Sequence, residues 1–158
     1  MTDAKPTKPS RRDLSSAARL YAVQALFQME AMNQSADRVA LEFRNWRIDT
    51  QTEDGPTPPA DERLFQRIID DAVTWQSKVD QMTDRALVAK WPIDRIDPVL
   101  RAVFRAAGAE LVTPATPPRV VISEYVRIAE AFFPEGREIR FVNAVIDHMA
   151  HEARPDGF

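Results

Sequence analysis

Cysteine is absent from the 158 residues, which excludes disulfides, thiolate metal sites and thiol nucleophiles. Glycine is scarce, and none of the four stands in a phosphate loop or a dinucleotide fingerprint. No serine occupies a G-x-S-x-G elbow. No apolar run is long enough to span a bilayer, and the N-terminus lacks a hydrophobic signal core. Histidine occurs only as His148 and His151, one helical turn apart without an obvious third ligand, so a solvated pair outweighs a metal site. Asp70, Asp71 and Glu130 read as ordinary solvent-face acids. The expectation is a soluble, cytoplasmic, non-enzymatic protein with no catalytic residue, cofactor or metal.

The net charge of −3 is unevenly spread. Residues 1–19 hold five basic side chains, Lys5, Lys8, Arg11, Arg12 and Arg19, against two aspartates. A basic segment on an acidic body fits an anionic partner held at one place. From charge alone, a solvated tail is the plainer reading.

The segment Leu14–Met32, LSSAARLYAVQALFQMEAM, has helical periodicity with two apolar ridges. Ala18, Ala22, Ala25 and Met29 form a narrow one; Leu20, Val23 and Phe27 form a bulkier one. Arg19 and Glu30 lie in one seam between them. Such a helix predicts a central strut covered on both sides. Ser10 with Asp13 is a variant capping box that starts it near Arg11, and Asn33 closes it. Ser35 caps a second helix bearing Val39, Phe43 and Trp46. Residues 49–60, rich in proline, predict a surface loop. Asp61 caps a third helix whose stripe runs from Leu64 through Val73 and extends to Val79 and Met82. A shorter piece, Asp84 to Lys90, stops before Trp91-Pro92. Asp97-Pro98 opens the next helix, in which Gly108 implies a close helix contact. TPATPP (113–118) is a stiff connector, and PEGRE (134–138) separates the last two helices.

The whole reads as all-α, six to seven helices and no convincing strand. Residues 1–10 form a disordered basic arm and 11–154 a single helical domain. Within it lie an N-terminal bundle, about 11–82, and a C-terminal bundle, about 84–152. Residues 155–158 are a tail. Among charged residues in apolar surroundings, Arg105 and Glu124 are expected to pair across two helices, with Glu110 as the alternative acid. Asn143 is either a buried hydrogen-bonding amide or part of a polar surface, and its apolar neighbours favour the first.

Four stretches in register, ARLYAVQALFQME (18–30), DPVLRAVFRAAGAEL (97–111), VVISEYVRIAEAFF (120–133) and RFVNAVID (140–147), resemble the NusB family of transcription antitermination factors. The resemblance implies an all-α fold of two small packed bundles. It also implies binding of boxA-type single-stranded RNA, notably in ribosomal RNA leaders. The implied partners are the ribosomal protein NusE and, on RNA polymerase, NusA and NusG. The basic residues then become RNA contacts, Lys5, Lys8, Arg11, Arg12 and Arg19, with Arg140 and Phe141 adding a charge and a stacking face. Relatives commonly carry an arginine run where this chain has Ser15, Ser16 and Ala17; Arg11 and Arg12 lie about one turn further out. Two other function classes are weighed: a protein-binding helical scaffold, and an accessory domain of ribosomal RNA cytosine methyltransferases. The latter is set aside because no methyltransferase-sized segment follows Phe158.

Overall fold

A computed structural model describes residues 8–87, 95–134 and 136–158, with only the backbone of Arg137. The expectations for Lys5 and for the Lys90–Trp91-Pro92 stop lie outside the described residues.

Helix α1 (Arg11–Met32) opens as its sequence predicts. The Ser10 hydroxyl accepts from the Asp13 N–H at 3.1 Å, and the Asp13 carboxylate accepts from the Ser10 N–H at 3.1 Å. Asn33 ends the helix in the left-handed conformation, φ 51°, its N–H donating to the Met29 carbonyl. Ala18, Ala22 and Ala25 are fully buried where α1 packs on α3 (Glu62–Thr74) and α5 (Pro98–Val112). The second ridge departs from expectation. Val23 is buried, but Leu20 is half-buried and Phe27 is 37% exposed. That side of the strut lines an open, mainly apolar groove of about 670 Å³, with Met32, Trp46, Val99 and Phe132 around it.

Ser35 caps α2 (Ala36–Glu42), accepting from the Arg38 N–H. The next five residues, Phe43–Arg47, form a π turn in which the Ile48 N–H reaches back to the Phe43 carbonyl at 2.8 Å. The wider turn breaks the spacing that placed Trp46 with Val39 and Phe43. Val39 and Phe43 are buried, whereas Trp46 is 73% exposed. Phe43 stacks on Phe65 and meets Tyr21 edge-on, closing the core at this end. The 49–60 segment holds a minimal hairpin, β1 (Gln51–Thr52) against β2 (Gly55–Pro56), with Glu53 and Asp54 at its turn and Gly55 leaving it at φ 110°. The Tyr21 hydroxyl pins its base by donating to the Pro58 carbonyl at 2.8 Å.

Asp61 caps α3 through the amides of Arg63 and Leu64. The stripe expected to run on to Met82 is interrupted at Trp75, and α4 (Gln76–Ala86) starts in a new direction. The break turns Val79 and Met82 onto α5 and α7 (Arg137–Ala153) rather than onto α1. The expected junction between bundles, near 82–84, therefore falls inside a continuous helix, and the described start of the Asp84 piece, Asp84–Ala86, is its last turn.

Asp97 and Pro98 start α5, with the Asp97 carboxylate accepting from the Val99 N–H at 2.7 Å. This helix, more than α1, is the centre of the molecule. It touches α1, α3, α4, α6 (Pro118–Phe132) and α7, and a single apolar cluster runs through all of them. At Gly108 the backbone of α5 meets Val79 so closely that an added Cβ would lie 2.3 Å from its Cγ1. After α7 the Arg154 guanidinium turns back to donate to the carbonyls of Glu110, Leu111, Thr113 and Thr116. It thereby satisfies the end of α5, where intrahelical partners run out.

Candidate nucleic-acid interface

Lys8, Arg11 and Arg12 are exposed at the start of α1, the last two in its first turn. The helix stays in the open for only that turn. By Ser16 it is fastened to α6, its hydroxyl 3.0 Å from both Glu124 oxygens. Arg19, one turn further, is only 5% exposed. Its Nε and Nη2 donate to the two oxygens of Glu110 at 2.8 and 3.1 Å, and its Nη1 lies 3.4 Å from Glu124. Burial opposes the charge on Arg19, but the hydrogen bonds and charge of Glu110 hold its pKa above the ordinary value. Glu110, 4% exposed, also accepts from the Tyr125 hydroxyl at 2.6 Å and from Thr116 at 2.9 Å. Burial, then the adjoining Glu110 charge, pushes the Tyr125 hydroxyl well above its usual pKa. Arg19 is thus the core of a buried network joining α1, α5 and α6. It is withdrawn from the set of expected RNA contacts, because its donors point inward to carboxylates.

The expected Arg105–Glu124 pair does not form. Arg105 binds Asp80 of α4 bidentately, at 3.1 and 2.9 Å, and reaches Glu30 of α1 at 3.2 Å. Arg101, one turn earlier on the same face, also holds Glu30. The acid beside Glu124 on α5 is Glu110, more than one turn beyond Arg105, and the cation serving both is Arg19. Position 19 is in the seam beside the alanine ridge that packs on α5. That placement was the available sign that its guanidinium faces inward.

Arg140 is exposed in the first turns of α7, and Phe141 beside it is half-buried. The Phe141 ring sits edge-on to Phe104, 6.2 Å between centroids, so its packing partly uses the face expected for stacking. The structure does not bring these two to the arm. Phe141 borders a groove with Leu100, whereas α1 is fastened beside Glu110, ten residues on, roughly 15 Å along the axis of α5. Asn143 is exposed, not buried; it lies on the outward side of α7 with Asp147 and His151, opposite the stripe Val142, Val145, Ile146. His148 and His151 are both exposed, and no group of three metal-ligating side chains occurs among the described residues. The His151 ring stacks on Phe158 at 3.8 Å, so the C-terminal tail lies against α7. Among the described residues no helix is long and apolar enough to cross a membrane.

Fold and site together define a small helical protein that holds an exposed basic helix end on a packed body. Residues 16–151 match the model of the NusB family. The transcription antitermination protein NusB of Maricaulis maris (strain MCS10) is 43% identical over 161 residues, covering 100% of both chains. Among solved structures, T. maritima NusB superposes with a TM-score of 0.70 at 26% identity, covering 92% of this chain and 94% of that one. A crystal structure of the antitermination factors NusB and NusE in complex with double-stranded RNA gives 0.68 at 20% identity, covering 87% and 96%. The chain belongs to the NusB family.

Proposed function

We propose that the chain is a cytoplasmic transcription antitermination factor that binds boxA-type single-stranded RNA together with the ribosomal protein NusE. In this reading it acts chiefly on ribosomal RNA operons, joining NusA and NusG on RNA polymerase. The observation that carries the proposal is the presentation of Arg11 and Arg12. They stand exposed on a capped helix whose next turns are clamped to the body by Ser16 and Arg19. Guanidinium groups held this way meet phosphates without first ordering the helix beneath them. Further support comes from the relatives: they are antitermination proteins, and one structural neighbour is a complex of NusB and NusE with double-stranded RNA. Lys5 and Lys8 extend the contact, while Arg140 and the edge of Phe141 form a separate patch that an extended strand reaches second.

Three to four phosphate contacts from the arm imply a log–log salt slope of roughly −2 to −3 for a single strand. Gel-shift titration of boxA RNA against salt, with and without NusE, tests this. Replacing Arg11 and Arg12 by alanine weakens binding and flattens the slope by about one to one and a half units, with melting unchanged. An unaltered slope removes these arginines from the interface. Failure of the unaltered protein to bind with or without NusE overturns the reading in favour of a protein-binding scaffold.

A further inference from the structure

The start of α3 lies directly against the exposed end of α1: the Asp61 N–H donates to the Leu14 carbonyl at 3.0 Å. Between the two helices opens a polar cleft of about 340 Å³, lined by Ser15, Asp61, Arg63, Arg67 and Thr116, with Arg19 at its floor. Ser15 is one turn after Arg11 on the same side of α1, so the cleft continues the surface that carries the arm's guanidinium groups.

The charges in the cleft are not equally available. Arg19 is engaged by Glu110 and Glu124. Asp61 is engaged by the amides of Arg63 and Leu64, which it caps. Arg63 and Arg67 are exposed, and among the described residues neither guanidinium has a hydrogen-bond or ion-pair partner. Asp71, one turn beyond Arg67, feels its charge without reaching ion-pairing distance. Several other arginines are bound inward or across: Arg85 to Glu152, Arg101 to Glu30, Arg105 to Asp80, Arg154 to backbone carbonyls. Two like charges four residues apart on one helix repel slightly. Among the described residues Arg63 and Arg67 hold that arrangement with no hydrogen bond or ion pair, and only the more distant charge of Asp71, to offset it. The cleft is therefore a cationic fork, with a serine hydroxyl on its opposite wall, open to a ligand that neutralises it.

We propose that Arg63 and Arg67, with Ser15, form a phosphate-binding cleft that carries the RNA backbone from Arg11 and Arg12 across α1 onto α3. The ligand class is the phosphodiester of a nucleic acid. Planar guanidinium donors bind its oxygens in pairs, and Ser15 adds a neutral donor from the other side. The inference rests on the RNA-binding reading above and adds to it a second helix, one outside the N-terminal segment.

The test is affinity against salt for the full chain on boxA RNA, comparing the unaltered protein with R63A/R67A, R63K/R67K and R11A/R12A. Two lost phosphate contacts flatten the slope by about 1.4 units and weaken binding roughly 25-fold at 0.1 M salt, with the deficit vanishing towards 1 M. The lysine variant keeps the slope, since charge is retained. Thermal melting of R63A/R67A matches the unaltered protein, as expected for exposed side chains. If R63A/R67A keeps the original slope while R11A/R12A loses its share, the cleft is not on the RNA path and the RNA-binding reading stands. If R63A/R67A binds RNA normally alone but loses the gain from NusE, the cleft belongs to a protein contact and the inference is overturned. If the unaltered protein shows no salt-dependent RNA binding, both fall together.

Discussion

Removing Arg19 separates the two roles that a basic residue near this N-terminus could have. Arg19→Ala takes the bidentate partner from Glu110 and the 3.4 Å cation from Glu124, both within the buried network. Glu110 keeps Tyr125 and Thr116, and Glu124 keeps Ser16, so hydrogen bonding survives but charge balance does not. Breaking one side of a buried ion pair costs about 3–5 kcal/mol, a large share of the stability of any domain. For a chain of this length that lowers the melting temperature by roughly 6–20 °C. In urea, with a slope of about 2 kcal/mol/M, the midpoint moves down by about 1.5–2.5 M. Circular dichroism at 222 nm follows both transitions. Arg11→Ala in the same assay changes stability by less than about 0.5 kcal/mol. An Arg19→Ala loss below about 1 kcal/mol refutes the network, and would return Arg19 to the exposed basic set.

Gly108→Ala gains about 1 kcal/mol of helix propensity but drives a methyl into Val79 at a cost of about 1–3 kcal/mol, for a net loss of up to about 2 kcal/mol, recovered in part by Val79→Ala. Urea midpoints of the two single variants and the double variant measure that recovery, and simple additivity would count against the close contact. Tyr125 ionises in the folded protein only well above its usual value, whereas in the unfolded chain it ionises near 10. Its contribution is therefore complete below about pH 10 and declines above it, by up to about 1.4 kcal/mol per pH unit; Tyr125→Phe, weaker by about 1–2 kcal/mol at neutral pH, lacks that alkaline decline in urea titrations at pH 8 to 11. A double-mutant cycle gives Arg105 and Asp80 a coupling of about 0.5–1 kcal/mol, while Arg105 and Glu124 add independently; coupling in the second cycle would contradict the observed ion pairs.

The caps were legible because they are local chemistry. Ser10 with Asp13, Ser35, Asp61 and Asp97-Pro98 each satisfy helix-start amides within three residues of themselves. The alanine ridge of α1 was legible for a similar reason, since periodicity records which side faces a neighbour. Direction in space was not. Nothing near Trp75 breaks a helix by its own chemistry, and the contact that α4 makes beyond it, Val79 against Gly108, joins residues far apart in sequence. The π turn at Phe43–Arg47 likewise rotates Trp46 out of a stripe that spacing alone had placed inward. The ion pairs failed on the same ground. Sequence identified charged residues in apolar surroundings, but choosing among Arg19, Arg101 and Arg105 for Glu110 and Glu124 required knowing which ends of α1, α5 and α6 meet. For the interface, charge density marked Arg11 and Arg12. The nearness of Arg63 and Arg67 depends on one backbone hydrogen bond, Asp61 to Leu14, between residues 47 positions apart.

The way α1 is clamped has an evolutionary consequence. Ahead of Ser16, at positions such as Arg11 and Arg12 outside the Ser10–Asp13 cap, basic residues can be acquired or lost without touching a side-chain contact the fold requires. From Ser16 onward, Ser16 answers to Glu124 and Arg19 to Glu110, so a change at either must be matched on α5 or α6 to be tolerated. Neutral drift is free on one side of that line and constrained by epistasis on the other. A lineage can retune its grip on a ligand by small steps at one end of this helix while its ability to fold is inherited intact at the other.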